Sequence, residues 1–441
     1  VSHTPHTSSR STDLSRLRSA VRGRVWLPGD ARFDDVRLPW NRAVAQPTRA
    51  VVEAADAADV ARLVHFARDA GLAIATQPNG HGASGRTEDT ILLRTGRLNA
   101  VEVDAASRRA RIGAGVSSGA LQQATAEHGL TALPGSSPVV SVAGVALGGG
   151  LSWFGRAHGW VSDSVRGFDV VDALGNQRRV TAASDPDLFW ALRGGGGDYA
   201  IVTGLELDLH GAPALFGGRV LWPGELTRDV LDAFRAVTAA APQELTLWLE
   251  LLHFPGSDPV VAIDLTYLGS ASQAVTHLAE LERLPAPLSD TRRSMSVAEL
   301  GSITAEPTDP GAGVTRGELL AHLGAEAVDD VLTSSIAPML SVQVRHLGGA
   351  FAQPSDTPQG PLSAEFAVYM FGSPAFAPAA DIAARQQLMA HSLPITGRKP
   401  VTFLNPAEQL SDALPAASIA RLRAIKSDCD PAGLFRGNFP A

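Results

Sequence analysis

The sequence predicts an α+β protein of two units. Residues 49–75 read as strand, helix and strand, and short strands broken by glycine clusters continue to Leu209. At His210-Gly211-Ala212-Pro213 the texture changes, and longer strands alternate with longer helices from there to about residue 396. A chain of 441 residues with 45% hydrophobic and 19% charged residues builds a sizeable core without a disulfide or metal staple.

The first unit is justified element by element. Residues 49–53 are rich in β-formers. Asp56 caps a helix in which Val60, Leu63, Val64 and Ala67 recur at helical spacing up to Gly71, and residues 72–75 form the next strand. A glycine loop follows, Asn79-Gly80-His81-Gly82-Ala83-Ser84-Gly85. Short strands at 91–93, 100–103 and 109–116 lead to a helix capped by Ser117 and stopped at Gly129. Residues 134–160 are a long Gly/Ser/Val segment. Residues 168–172 and 178–181 flank Leu174-Gly175-Asn176 as a hairpin, 185–192 is a helix with Pro186 in its first turn, and 201–209 is a strand. In the second unit, 245–254, 260–268, 340–346 and 366–371 are expected to be strands of one sheet. Helices near 226–240, 271–283 and 378–392 separate them.

Composition excludes several function classes. Net charge is -8, which argues against a broadly basic nucleic-acid surface. Cys429 is the only cysteine, so there is no intrachain disulfide, CxxC pair or cysteine metal cluster. No apolar run reaches the ~18 residues of a membrane span. Residues 1–19 read as a flexible tail without the apolar core of a signal peptide, which makes the cytoplasm the expected location. No histidine pair has the helical spacing of a metal site, and no G-x-S-x-G marks a hydrolase.

Glycine loops cradle phosphates through backbone N–H groups, and three kinds compete here. A P-loop fails because neither Lys399 nor Lys426, the only lysines, follows a suitable glycine pair. Gly113, Gly115 and Gly119 are one residue off a Rossmann fingerprint. The third kind is a flavin site of several separate segments. Residues 77–83 (QPNGHGA), 144–159 (GVALGGGLSWFGRAHG), 189–203 (FWALRGGGGDYAIVT) and 430–438 (DPAGLFRGN) occur in that order. Together they resemble the vanillyl-alcohol-oxidase-like, berberine-bridge-enzyme-like family of FAD-linked oxidases.

That resemblance implies a PCMH-type FAD-binding fold over residues 20–211, joined again by residues 397–441. A substrate domain over 212–396 would be built on an antiparallel sheet flanked by helices. It implies FAD bonded covalently through His81. The flavin would be cradled by Asn79, Gly80, Gly82, Ala83 and Ser84, by Gly135, Ser136 and Ser137, and by Val142, Gly144, Gly148, Gly149 and Gly150. Gly197, Ile201, Val202, Asn405 and Asn438 complete the set. Family members with two flavin bonds carry a cysteine where Ser137 stands, so no cysteinyl bond is expected. Pro78 and Asn79 stand where glycines are common, Ser152 replaces a glycine, and Asp198-Tyr199 replaces Asn-Phe. Arg156 and His158 are expected to be structural.

The implied reaction is hydride removal from a small organic alcohol, amine or activated C–H, with O₂ as acceptor. A plausible setting is specialised metabolism. Such chemistry needs a base for the substrate O–H or N–H. Strand alternation places Thr246, Trp248 and Glu250 on one face, Gln343 with Arg345, and Ser363, Glu365, Ala367 and Tyr369 together. Glu250 and Tyr369 are the candidate bases. The same features also accommodate a flavin dehydrogenase, a cyclase or oxygenase on this scaffold, and a binding protein that has lost the cofactor. Neither substrate identity nor oligomeric state is legible.

Overall fold

Residues 13–324 and 326–441 are described by the structure, a computed structural model. Strands β1 (Arg24–Trp26), β2 (Ala50–Glu53), β3 (Ala73–Thr76) and β4 (Thr90–Arg94) form a sheet in the order β1-β2-β4-β3, with β2, β4 and β3 parallel. The helix Ala57–Ala70 crosses from β2 to β3. The Asp56 carboxylate accepts from the backbone N–H of Asp59 at 2.9 Å, and Gly71 closes the helix at φ +64. Val60, Leu63, Val64 and Ala67 are fully buried against the sheet, as their spacing predicts.

Next come β5 (Val101–Asp104), β6 (Arg109–Gly113), the short β7 (Leu130–Thr131), β8 (Val165–Val171), β9 (Gln177–Val180), β10 (Ile201–Asp208) and the short β11 (His210–Gly211). An antiparallel sheet of order β5-β6-β10-β8-β9 results, and β7 pairs with β11. The Gly/Ser/Val segment holds two short helices, Val142–Leu147 and Gly155–His158.

Beyond residue 211 one large antiparallel sheet is built from β12 (Phe216–Pro223), β13 (Leu245–Leu252), β14 (Val260–Tyr267), β15 (Ser289–Asp290), β16 (Arg293–Ser294), β17 (Val314–Leu320), β18 (Ser341–His346) and β19 (Phe366–Gly372). Its order is β15-β12-β14-β13-β18-β19-β17, with β16 also on β12. Leu247, Leu249, Ile263, Val344 and Val368 point to one face. The helices Thr227–Ala240, Glu326–Thr333 and Ala379–Ser392 cover that face with Phe234, Leu332, Ile382 and Met389. Each such side chain contributes about 1.5–3 kcal/mol when fully buried. The opposite face is polar and carries the candidate bases.

Three differences from the sequence reading have identifiable causes. Within the expected tail, Leu14–Arg16 is a 3-10 turn and Leu17–Ala20 a helix. Leu17 is fully buried beside Val60 and Leu63, because Leu14, Leu17 and Val21 form an apolar edge among polar neighbours. The rest of that tail, with His3 and His6, lies outside the described residues. Strands β12 and β17 were not among the expected strands. Their glycines serve close approach: a Cβ on Gly218 would meet the Arg292 backbone at 2.7 Å, and one on Gly317 would meet Phe403 at 2.4 Å. The helix expected over 271–283 ends at His277 and gives way to a 3-10 turn at Leu281–Arg283.

The C-terminal segment returns to the first unit. Phe435 bridges Ile74 beside β3, and Arg436 N–H donates to the Ile74 carbonyl at 2.9 Å. The helix Ala416–Cys429 buries Leu422 in the same cluster as Ala191 and Leu192. Among the described residues, no helix is long and apolar enough to cross a membrane.

Candidate active site

The glycine loop leaves the end of β3. Gly80 has φ +81, and a Cβ there would lie 2.8 Å from the Pro39 side chain, so only glycine fits. Asn79 anchors the loop on both sides. Its Nδ2 donates to the Val139 carbonyl at 2.7 Å, and its own carbonyl accepts from Trp40 N–H at 2.9 Å. That second bond sets the Trp40 ring flat on His81, with centroids 4.2 Å apart and planes 16° from parallel.

Both ring nitrogens of His81 are buried and, among the described residues, lack a hydrogen-bond partner. Burial pushes the imidazole down to about 4, so the ring is neutral at physiological pH with a free lone pair. Leaving a buried polar atom unpaired costs about 1–3 kcal/mol. The protein bears that cost at His81, and Ser84 Oγ close by is buried and unpaired as well. Ala83 is buried, whereas a Cβ on Gly82 would meet nothing within 4 Å.

Across from this loop lies the 134–150 segment, tied to it through Asn79 and Val139. The glycines divide into two sets. Gly135, Gly144 and Gly197 are open, with the nearest atom to an added Cβ at 4.0, 4.0 and 3.8 Å. Gly148, Gly149 and Gly150 are filled by the chain itself: a Cβ would meet Thr402 at 2.9 Å, Gln359 at 2.3 Å and Val145 at 2.5 Å. The triplet thus packs the scaffold, whereas an added Cβ at the other three would sit at ordinary contact distance. Ser137 and Val142 are buried beside them, Ser136 reaches Glu306 with its hydroxyl, and Ile201 and Val202 are buried at the start of β10.

The remaining cofactor candidates part ways. Asn438 Oδ1 accepts from Gln77 Nε2 at 3.4 Å, which puts the C-terminal tail against the root of the glycine loop. Asn405 Oδ1 is taken up locally, accepting from Ala407 N–H at 3.1 Å in a turn. Buried Asp198 accepts from Gly437 N–H, and Lys426 Nζ ties the Asp198 carbonyl (2.6 Å), the Phe435 carbonyl (2.9 Å) and the Asp430 carboxylate (2.6 Å) together. Cys429 donates to the Tyr199 carbonyl at 3.4 Å.

Arg156 fastens the two units. Its Nε donates to the Leu245 carbonyl at 2.8 Å, and Nη2 to Ala241 and Pro242 carbonyls at 3.1 and 3.2 Å. Nη1 meets His346 Nε2 at 2.8 Å and the Leu347 carbonyl. Trp153 adds a ring stack on Trp248 at 3.6 Å.

The polar face of the large sheet is a connected network. Glu250 is 4% exposed; its Oε1 accepts from Gln343 Nε2 at 2.9 Å, and its Oε2 accepts from Arg219. Arg219 also forks onto Asp264, Nε to Oδ1 at 2.6 Å and Nη2 to Oδ2 at 2.7 Å. Burial, and then the Asp264 charge, push Glu250 up to about 7 against the pull of Arg219. Tyr369 lies on the same face, 5.0 Å from Phe403, and bonds to Thr315. Burial raises its phenol, which stays protonated at neutral pH. Ser363 and Glu365 fall before β19 and are exposed.

The structure thus links one chain of contacts: the His81 loop to Val139, Ser136 in that segment to Glu306, and Glu306 by charge to Arg345 and Glu250. Sequence reasoning missed Trp40, Arg219, Asp264 and Glu306. Arg219 and Asp264 do alternate on their strands, but only the register Arg219↔Asp264↔Trp248 shows that they share a face with Glu250.

Residues 48–181 match the FAD binding domain family. The chain is 29% identical to (R)-6-hydroxynicotine oxidase of Paenarthrobacter nicotinovorans over 451 residues, covering 95% of this chain and 96% of that protein. The solved 6-hydroxy-D-nicotine oxidase of Arthrobacter nicotinovorans superposes with TM-score 0.82 at 26% identity, over 94% of this chain and 97% of that one. The BBE-like 1 protein of Physcomitrella patens shares the fold, with TM-score 0.83 at 20% identity over 98% of each chain. The chain therefore carries an FAD-binding domain, is similar along its length to FAD-linked oxidases, shares its fold with a berberine-bridge-enzyme-like protein, and is an FAD-dependent oxidoreductase.

Proposed function

We propose that this oxidoreductase oxidises a small organic alcohol, amine or activated C–H compound, holding FAD covalently through His81 and passing electrons to O₂. The observation that carries the reading is His81: neutral, stacked on Trp40, with two buried nitrogens unpaired in the protein. The open glycines at 82, 135, 144 and 197 fit a bulky planar and phosphorylated group beside it. Asn79, Gly80, Ala83, Ser84, Ser136, Ser137, Val142, Ile201, Val202, Asn405 and Asn438 are assigned to the same cradle, with Gly148–150 shaping it from behind. No second bond is assigned: Ser137 stands where doubly bonded relatives carry a cysteine, and Cys429, the only cysteine, donates to the Tyr199 carbonyl. We divide the chain into a cofactor unit (20–211 and 397–441) and a substrate unit (212–396).

FAD, when bound, supplies the two-electron acceptor for a C–H bond next to oxygen or nitrogen. The protein's own contribution is proton handling and positioning. Glu250 is assigned as the base that takes the substrate O–H or N–H proton. Burial raises its proton affinity toward working pH, while Arg219 and Gln343 hold its two oxygens in place. Asp264 shares Arg219 with it, so two carboxyl groups surround one guanidinium and their titration is coupled. Tyr369, protonated, serves as a hydrogen-bond donor rather than a base.

The test is acid precipitation of the purified protein. Yellow colour in the pellet, with peptide mapping to His81, supports the covalent reading. Colour released to the supernatant removes the bond, and a preparation that neither holds nor takes up FAD removes the function. Peroxide formed in step with turnover separates O₂ from other acceptors.

A further inference from the structure

The polar face leaves one buried charge unmatched. Arg219 sits between two carboxylates, but Arg345, 8% exposed, has none within ion-pair distance among the described residues. Its Nε and Nη2 both donate to the single Oε1 of Gln343, at 3.1 and 2.6 Å, and among the described residues Nη1 donates to none. The guanidinium lies over Trp248 at 4.1 Å, with Phe403 at 5.4 Å and Tyr369 at 5.6 Å. Glu306 acts on it only through space, its carboxylate being engaged by the Ser136 hydroxyl.

Burying a guanidinium without a counter-ion is costly, and aromatic faces return only part of that cost. A methionine or glutamine would fill the same space without it. The arrangement makes sense if an anion arrives with the ligand. We propose that Arg345 reads a carboxylate on the substrate, so that the molecule oxidised is an organic acid whose apolar part lies against Trp248, Tyr369 and Phe403. Gln343 joins this cation to Glu250, so recognition and proton removal share one buried network. Glu306 opposes the incoming anion and sets an upper limit on its affinity. The proposal rests on the flavoenzyme reading above.

The test uses the full chain with its flavin content recorded by absorbance, and calorimetric titration with three probes of one shape: benzoate, benzamide and benzylamine. Benzoate is expected to bind about tenfold or more tightly than benzamide, as a desolvated charge pair favours the anion. Arg345→Gln should abolish the preference, Arg345→Lys should restore part of it, and Glu306→Gln should tighten benzoate several-fold. Equal affinity for benzoate and benzamide, no heat with benzoate, a preference for benzylamine, or a benzoate preference that survives Arg345→Gln each overturns the proposal. A lowered flavin potential in Arg345→Gln with the preference intact would assign the cation to the cofactor instead. If that variant does not fold, Glu306→Gln decides alone: unchanged or weaker benzoate binding overturns it. Protein that keeps FAD but ignores benzoate loses only this proposal, whereas protein without FAD loses the flavoenzyme reading, and calorimetry reads benzoate in either case.

Discussion

The His81 loop and the Glu250 network treat buried polar groups in opposite ways. Around Glu250 the protein answers its own needs: each oxygen has a donor, and Arg219 spans both carboxylates. Around His81 it does not, since two nitrogens and the Ser84 hydroxyl are sealed from water without partners. The Glu250–Arg219–Asp264 cluster is satisfied by the chain's own groups and holds its geometry before anything binds. On the reading proposed above, the flavin completes the loop. The difference would then separate residues satisfied within the chain from residues whose stability depends on the cofactor.

Four substitutions sharpen or break this contrast. The largest effect is expected at Glu250→Gln: flavin reduction by substrate should fall by about 10²–10⁴-fold, the range for losing a general base, with FAD content unchanged. In the parent enzyme the carboxylate is the active form, so the rate should rise with pH through about 7, and the variant should lose that limb in stopped-flow profiles. The folding sign is the reverse: between the ordinary glutamate value and about 7, the folded protein holds the extra proton, so stability falls as pH rises. A flat stability profile there would break the assignment.

Next is Arg219→Met. It strands two buried carboxyl groups, and loss of about 3–5 kcal/mol is expected in urea unfolding, with or without FAD. If the loss vanishes when FAD is bound, the network is not self-sufficient. His81→Phe should go the other way. It keeps a ring on Trp40 and removes two unpaired nitrogens, so the FAD-free protein should be unchanged or more stable by about 1 kcal/mol, while acid-stable flavin disappears. A destabilised FAD-free variant would mean that His81 has a partner in solution. Trp40→Ala is the smallest effect, about 0.5–1.5 kcal/mol for the lost ring pair, read as slower covalent incorporation of added FAD. Since His81 is held down to about 4, that incorporation should persist at pH 5 in the parent protein.

Much of the first unit was legible because its signals are local. Asp56, the 3.6-residue spacing of Val60 to Ala67, and Gly71 lie within one helix length, and the hairpin at 174–176 is equally compact. The alternation of Thr246, Trp248 and Glu250 correctly separated the polar from the apolar face. Strands β12 and β17 were not legible, because their glycines answer to Arg292 and Phe403, far off in the chain. The triple glycine shows the same limit: its order is a family signature, but its space is taken by Gln359, Thr402 and Val161.

By itself, the sequence determined the α+β class, the run of glycine segments, the family resemblance, and the position of His81 in a glycine-rich loop. These depend on backbone freedom and periodicity, which neighbouring residues set. Tertiary structure alone decided that Trp40 lies flat on His81, that Arg219 and Asp264 flank Glu250, and that Arg345 has no carboxylate within ion-pair distance among the described residues. Those facts arise from strand register and loop anchoring across tens to hundreds of residues. Burial then turns them into shifted proton affinities and unmatched charge, which no local pattern encodes.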